Sequence, residues 1–180
     1  MLVLDKLGRY KLARLWINDF RNRQLIFNKI KQTKVKANLF DLQKSQIVCE
    51  VKLPRNSSYY ALLGCNFVPD STGYLTVNIY YSEEKNIEVF KDSLLNNINE
   101  VVLFGIKEEY VNSILSYFEN LEKDIIIPSG IINFNIGAYS EIGSSNILFT
   151  QLTEVLMALI TKDLNKLDLE QLNLIVSKKI

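Results

Sequence analysis

The amino-acid sequence predicts an α+β protein, a sheet with helices packed on one of its faces. Three observations carry this. Hydrophobic residues alternate with a period of two through much of the first half and recur at helical spacing after residue 107. Strands come first, then strand, helix, strand, helix, which is the element order of an α+β layer architecture. With 180 residues, 48% hydrophobic and 23% charged, the chain has the length and apolar content of one packed domain. Only 3 Pro and 7 Gly are present, so no long disordered tract is expected.

Residues 9–31 read two ways. As a helix, Leu12, Leu15, Trp16, Phe20 and Phe27 fall loosely on one side. As a hairpin, 12–17 and 24–30 flank a polar turn at 18–23, and the β-formers Trp16, Ile17, Ile26 and Phe27 tilt the balance that way. Residues 46–53 alternate and end at Pro54, which reads as a strand; 55–58 read as a turn. Tyr59–Val68 and Tyr74–Tyr81 are β-rich runs joined by Pro69-Asp70-Ser71-Thr72-Gly73, a hairpin loop in which Pro presets φ and Gly supplies a positive one. Leu75, Val77 and Ile79 should face one side, and Thr76, Asn78 and Tyr80 the other.

Short strands are expected at 86–90 and 101–104, with a short helix or an irregular loop at 91–99. The spacing of Tyr110, Ile114, Phe118 and Leu121 predicts a helix over 107–123, with Glu108 and Glu109 in its first turn and Lys123 in its last. Pro128-Ser129-Gly130 stops the chain and 131–136 alternates as a strand. A second helix is expected over 145–161, with Ser144 or Ser145 as its N-cap. Asp168 and Gln171 have the spacing of a capping box that opens a short terminal helix.

The net charge of +1 is a cancellation. Residues 1–60 carry 13 Lys/Arg and 4 acids, whereas residues 61–180 carry 8 Lys/Arg and 16 acids. Such asymmetry is a statement about partners. The candidate contact residues for nucleic acid or a protein partner are Arg9, Arg14, Arg21, Arg23, Lys29, Lys31, Lys34 and Lys36. Extended backbone over 29–36 would set its four lysines near one side, where they could track phosphates while Tyr10, Trp16 and Phe27 stack on bases. The bland alternative is a solvated face, or a basic arm docked on the acidic remainder.

Catalytic and metal chemistry finds little support. The chain has no His, so the commonest general base and metal ligand is missing. No phosphate-binding Gly-x-x-x-x-Gly-Lys run occurs, and Gly130, Gly137 and Gly143 are too far apart for a dinucleotide fingerprint. Glu83-Glu84 and Glu108-Glu109 are adjacent pairs whose side chains diverge, as expected of surface charge. Cys49 and Cys65 read as buried reduced thiols. No catalytic residue, cofactor or metal site is expected. Neither a signal peptide nor a membrane span is expected, since a span needs about 20 apolar residues. The expected compartment is therefore the cytoplasm.

Three pieces between residues 74 and 155 resemble domain IV of the translational GTPase elongation factor G. They are Gly73-Tyr74-Leu75-Thr76-Val77-Asn78-Ile79 leading to Val89-Phe90-Lys91-Asp92-Ser93-Leu94; the glycine turn and helix start Gly105-Ile106-Lys107-Glu108-Glu109-Tyr110-Val111; and Gly137-Ala138-Tyr139-Ser140-Glu141-Ile142-Gly143-Ser144-Ser145-Asn146-Ile147-Leu148-Phe149. The third is the most specific, because the family also carries an aromatic, an acid, a branched aliphatic, a Ser pair and then Phe opening a helix. The resemblance implies a split β-α-β two-layer sandwich with a mostly antiparallel sheet and helices on one face. It implies that Tyr139, Ser140, Glu141, Gly143, Ser144 and Ser145 form a family-like loop. Ser140 stands where the family usually has His, Gly143 stands where it has an acid, and no Pro lies between Phe104 and Tyr110. The tip chemistry of the family on the ribosome is therefore not carried over, only the architecture.

The expected organisation is a basic β-rich segment over 1–58, packed on or beside a sandwich over 59–180. The expected function is a non-catalytic binding module for an unidentified protein or a second copy, meeting it through the basic segment or through an aromatic edge at Tyr59, Tyr60, Tyr80 and Tyr81. The alternative is an RNA- or ribosome-associated accessory protein that uses the basic segment.

Overall fold

The computed structural model describes residues 1–21, 27–54, 58–82, 88–96, 100–121 and 125–180. It is an α+β fold with one mostly antiparallel open sheet and three helices. The strands are β1 (Leu2–Leu4), β2 (Leu12–Ile17), β3 (Lys29–Lys36), β4 (Ser45–Lys52), β5 (Tyr60–Pro69), β6 (Tyr74–Tyr81), β7 (Val102–Phe104) and β8 (Gly130–Ser140). The helices are α1 (Glu108–Glu119), α2 (Asn146–Ile160) and α3 (Leu169–Ser177). None of the described helices is long and apolar enough to cross a membrane.

Sheet order is β1-β2-β4-β5-β8-β6-β3, with β7 paired to the far end of β8. This corrects two hairpins. β5 and β6 do not pair: β8 lies between them, antiparallel to β5 and parallel to β6. The 69–73 loop still turns as its composition requires, with Gly73 at φ +74°. It is an arch, though, and Ser129 fills it. The Ser129 hydroxyl donates to Asp70 at 2.7 Å and accepts from the Gly73 N–H at 3.0 Å. Likewise 12–17 is a strand, but it does not turn back on 24–30. β2 pairs β4, while β3 pairs β6 at the other edge of the sheet. Residues 24–26 of that expected second arm lie outside the described residues, as do 55–57 of the expected turn.

The remaining elements follow local signals. Ser145 caps α2, accepting from the Leu148 N–H at 3.4 Å. Asp168 and Gln171 make the reciprocal capping box of α3. α1 ends at Glu119, and Lys123 lies outside the described residues. Of the expected strand at 86–90 the described part is a single bridge, Val89 to Leu103. The described residues 91–95 make turns and bends and Asn96 lies in a 3-10 turn, while 97–99 lie outside the described residues.

Both faces of the sheet carry apolar side chains. On one, Leu15, Cys49, Leu63, Phe67, Val77, Ile132 and Phe134 are fully buried in one cluster with Tyr110, Ile114 and Phe118 of α1, Leu152 and Leu156 of α2, and Val176 of α3. The Tyr110 and Phe149 rings stack there at 4.1 Å, joining α1 to α2. On the other face, Trp16, Val48, Tyr60, Leu62, Ile136 and Ala138 form a second cluster. It is roofed by Phe90 and Leu95 of the connection between β6 and α1, and Val102 and Phe104 of β7 join it from within the sheet. β1, β2 and β4 belong to the same sheet and the same two clusters as β5, so the basic N-terminal residues are woven into the fold.

Gly130 opens β8 at φ +153°, wedged between Pro69 and Leu75. A Cβ there would meet the Val68 carbonyl, the Phe67 ring at 2.8 Å and Pro69 Cα at 3.0 Å. Gly130→Ala therefore combines backbone strain with a clash against backbone, and is expected to cost at least ~2 kcal/mol. Urea denaturation checks this; an unchanged midpoint would show that β8 enters the sheet with room to spare.

Candidate functional site

The family-like loop is the first candidate. It closes the end of β8 and leads into α2, and its serine hydroxyls and the Gly143 backbone are engaged in holding that turn. The Ser144 hydroxyl donates to the Tyr60 carbonyl at 2.7 Å and accepts from the Ser140 N–H at 2.9 Å. The Ser140 hydroxyl accepts from the Gly143 N–H at 3.0 Å and donates to Glu100. Glu100 also accepts from the Tyr59 hydroxyl at 2.7 Å. The Gly143 carbonyl accepts from the N–H groups of Tyr59 and Tyr60 at 2.8 and 3.0 Å. Space explains why Gly143 carries no side chain: a Cβ there would sit 2.5 Å from the Tyr59 ring. Ser145 caps α2 and Glu141 is exposed. Tyr139 is buried against Tyr110, with Lys107 Nζ 4.6 Å from its ring centroid, and burial pushes its hydroxyl up to about 12. The loop is thus a structural corner that ties β8 and α2 to the start of β5.

The second candidate is the basic set, and the structure disperses it. Arg14 is 8% exposed. Its Nε donates to Glu50 at 2.6 Å, and its other nitrogens reach the Asp92 carbonyl and carboxylate. Glu50 is fully buried in β4 and also accepts from the Leu94 N–H at 2.9 Å and from the Tyr60 hydroxyl at 2.8 Å. This network pins the roof to the sheet at Asp92 and Leu94, so Arg14 is an internal tie rather than a contact residue. Arg9 and Arg21 are exposed; Arg23 lies outside the described residues, as do Glu83 and Glu84. The expected aromatic edge is not one: Tyr59, Tyr60 and Tyr81 are buried and Tyr80 is half-buried.

The four lysines do not share a side. β3 pairs with β6 in unbroken register from Lys29↔Tyr81 to Lys36↔Tyr74, so strand alternation sends Lys29 and Lys31 one way and Lys34 and Lys36 the other. Lys31 lies on the helix side and donates to Asn112 of α1 at 2.8 Å. Lys34 and Lys36 lie on the second face, with Lys34 Nζ 4.4 Å from the Tyr74 ring centroid. A separation of three residues, harmless on a helix, changes face on a strand.

That second face contains what the sequence reading passed over. Beside the roofed cluster the described residues leave it partly open, and a row of side-chain amides crosses it, of which Asn78 is buried and the others are half-buried or exposed. Gln32, Asn78, Asn133, Asn66 and Gln46 are successive register partners on β3, β6, β8, β5 and β4. Gln32 donates to Asn78 at 2.7 Å, Asn78 to Asn133 at 2.8 Å, and Asn66 to Asn135 at 2.8 Å. The next row holds Lys34, Thr76, Ile131 and Val68, of which Ile131 and Val68 are 40% and 39% exposed. Tyr74 beyond it is 45% exposed. Asn78 was assigned to this side by alternation, but only the strand order shows that five such residues align.

Elsewhere, a groove of about 630 Å³ runs between α1 and α2, lined by Tyr117, Ile126, Thr150 and Met157, with Glu154 on its wall paired to Lys179 at 3.1 Å. Cys49 and Cys65 are fully buried, and burial pushes the Cys49 thiol up to about 12 and that of Cys65 higher still. Comparison with family models, curated proteins and solved structures returns no match for this chain.

Two outcomes are expected. A thiol reagent at pH 8 labels neither cysteine in the folded protein and both after unfolding, because reaction needs an accessible thiolate; fast labelling of either in the native state contradicts this. Arg14→Met leaves the Glu50 carboxylate unpaired inside the fold and costs about 3–5 kcal/mol at pH 7. Burial raises the Glu50 pKa above its unfolded value, outweighing Arg14 and the hydrogen bonds. The folded state then binds the proton more tightly, and acidification through that pKa favours it. The deficit of the variant should therefore shrink between pH 7 and pH 5 in urea titrations. A deficit that grows would show that Leu94 and Tyr60 suffice to hold the carboxylate charged.

Proposed function

We propose that this chain is a non-catalytic binding module whose contact surface is the open part of the second sheet face, carried on a split β-α-β sandwich like that of domain IV of elongation factor G. The carrying observation is the amide row. Asn is disfavoured in strands, where it neither packs well nor restricts the backbone usefully. Three aligned Asn at central positions of a sheet are costly for stability alone, and the same face a few residues away is filled with Trp16, Leu62 and Ile136. The contrast between a sealed half and an amide-lined half supports a surface kept open for contact. The serine hydroxyls of the family-like loop, those of Ser140, Ser144 and Ser145, are engaged within the fold, which supports architecture without the family's tip chemistry. The buried thiols suit a cytoplasmic setting.

If the row is kept for contact, replacing it with better strand formers should stabilise the protein. Asn66→Thr with Asn133→Thr is expected to raise stability by about 0.5–1 kcal/mol, or roughly 1–4 °C in Tm for a chain of this size. Calorimetry checks it. A loss of more than about 1 kcal/mol, the net worth of a hydrogen bond, would mean that the amides are structural and would remove the basis of this reading.

A further inference from the structure

We infer that the open face takes single-stranded nucleic acid, with Lys34 and Lys36 on phosphates, Tyr74 beneath a base, and amides such as Asn133 and Asn66 at base edges. The inference rests on the binding-module reading and names its ligand. Three features of the face select it. The first is charge: Lys34 and Lys36 project from this side of β3, and neither has an ion-pair partner among the described residues. Asp70, in the loop beside this rim, is engaged by Thr72 and Ser129; those bonds, with the charge of Lys34 as a smaller cause, hold it below its usual range.

The second feature is hydrogen-bonding capacity. A side-chain amide has two donor hydrogens and two acceptor lone pairs, and each contact within the row uses one. Asn133 and Asn66 are half-buried, with capacity left for a ligand. Amides are the side chains that read base edges through paired donor and acceptor groups. The third is shape. The row crosses five strands about 4.8 Å apart, a track of roughly 20 Å in which Asn78 is buried and its neighbours are half-buried or exposed, which suits a few splayed nucleotides rather than a duplex groove. An open sheet presenting aromatics and polar groups is a general way of holding single strands. The edge of β3 disfavours the rival, a second copy docked edge to edge, because lysines pointing to both sides of an edge strand oppose such pairing.

The test is fluorescence anisotropy with labelled 12-nucleotide single-stranded RNA and DNA of mixed sequence, the matching duplex, and polyglutamate as a charge control, across a salt series. Two double variants of the same strand separate face from charge: Lys34→Ala with Lys36→Ala on the open side, and Lys29→Ala with Lys31→Ala on the helix side. The expected result is single-strand binding at least tenfold tighter than to duplex or polyglutamate. The open-side pair should weaken it at least tenfold and reduce the log–log salt slope by about 1.4, the value for two phosphates. The helix-side pair should cost less than threefold. Equal losses for both pairs, or equal affinity for polyglutamate, overturn the inference, since charge without a face would then explain the binding. So does absence of binding by the folded protein. If light scattering then shows a dimer that Thr76→Glu dissolves, the binding module stands with a second copy as its ligand. If no dimer forms and the Asn66 and Asn133 replacements also fail to stabilise, both readings fall.

Discussion

The strand Gly130–Ser140 sets the position of nearly everything else. It pairs with β5 along one side, and with β6 and then β7 along the other. β8 starts in that slot beside the arch of residues 69–73, and the Ser129 hydroxyl ties its start to the arch by bonding to Asp70 and to the Gly73 N–H. Parallel pairing with β6 requires a long return, since parallel neighbours cannot be joined by a tight turn. The 82–129 connection supplies that return: first the segment that roofs one face, then β7, then α1 across the other. Both covers of the sheet are thus by-products of one crossover. α2 and α3 complete the helical side after β8 has been laid down.

A single irregularity in β8 divides the second face into a sealed half and an open one. The register with β5 shifts between Gly64 and Cys65, which leaves Asn135 as the extra residue. A bulge of this kind changes the phase of alternation. Before it, Asn133 points to the second face and Phe134 to the helices; after it, Ile136 and Ala138 join the roofed cluster while Tyr139 returns to the helical core. On that face β8 carries Ile131 and Asn133 before the bulge, exposed and half-buried, and the buried Ile136 and Ala138 beyond it. The buried Arg14–Glu50 pair lies on the apolar side, where its desolvation is countered in part by the ion pair itself, the Leu94 amide and Tyr60.

Local signals were legible in the sequence and long-range pairing was not. The alternation of Leu75, Val77 and Ile79, the helical spacing from Tyr110 to Phe118, the Ser145 cap and the Asp168–Gln171 box all depend on neighbours within a few residues. They can be read without knowing the fold. The two hairpins failed for the opposite reason: a turn signal reports that the chain reverses, not that the flanking strands touch. Nothing near Pro69 or Gly73 announces that a strand starting at residue 130 will part them. The end of β8 was missed because the bulge breaks its alternation at Asn135, so the pattern stops while the strand continues. The amide row could not be seen at all, since its members lie on five strands whose order does not follow the chain.

Charge patterning was misread for a related reason. Spacings of two, three and two look continuous along a sequence, yet on an unbulged strand the odd step changes face. The resulting division gives β3 two roles at once. It is an edge strand, and lysines on both sides of an edge oppose the edge-to-edge pairing that an open ladder invites. That role needs charge but no particular side. The second role belongs to Lys34 and Lys36 alone, because alternation places them beside the amide row and Tyr74 rather than over α1. A protective edge would work equally well with any side occupied; the bearing of two lysines on an amide-lined, partly apolar face is what protection leaves unexplained. On that ground five of the 13 cationic residues among the first sixty fall into distinct places: an internal tie at Arg14, and along β3 a guard of four lysines, two of which stand on the sheet surface that the described residues leave partly open.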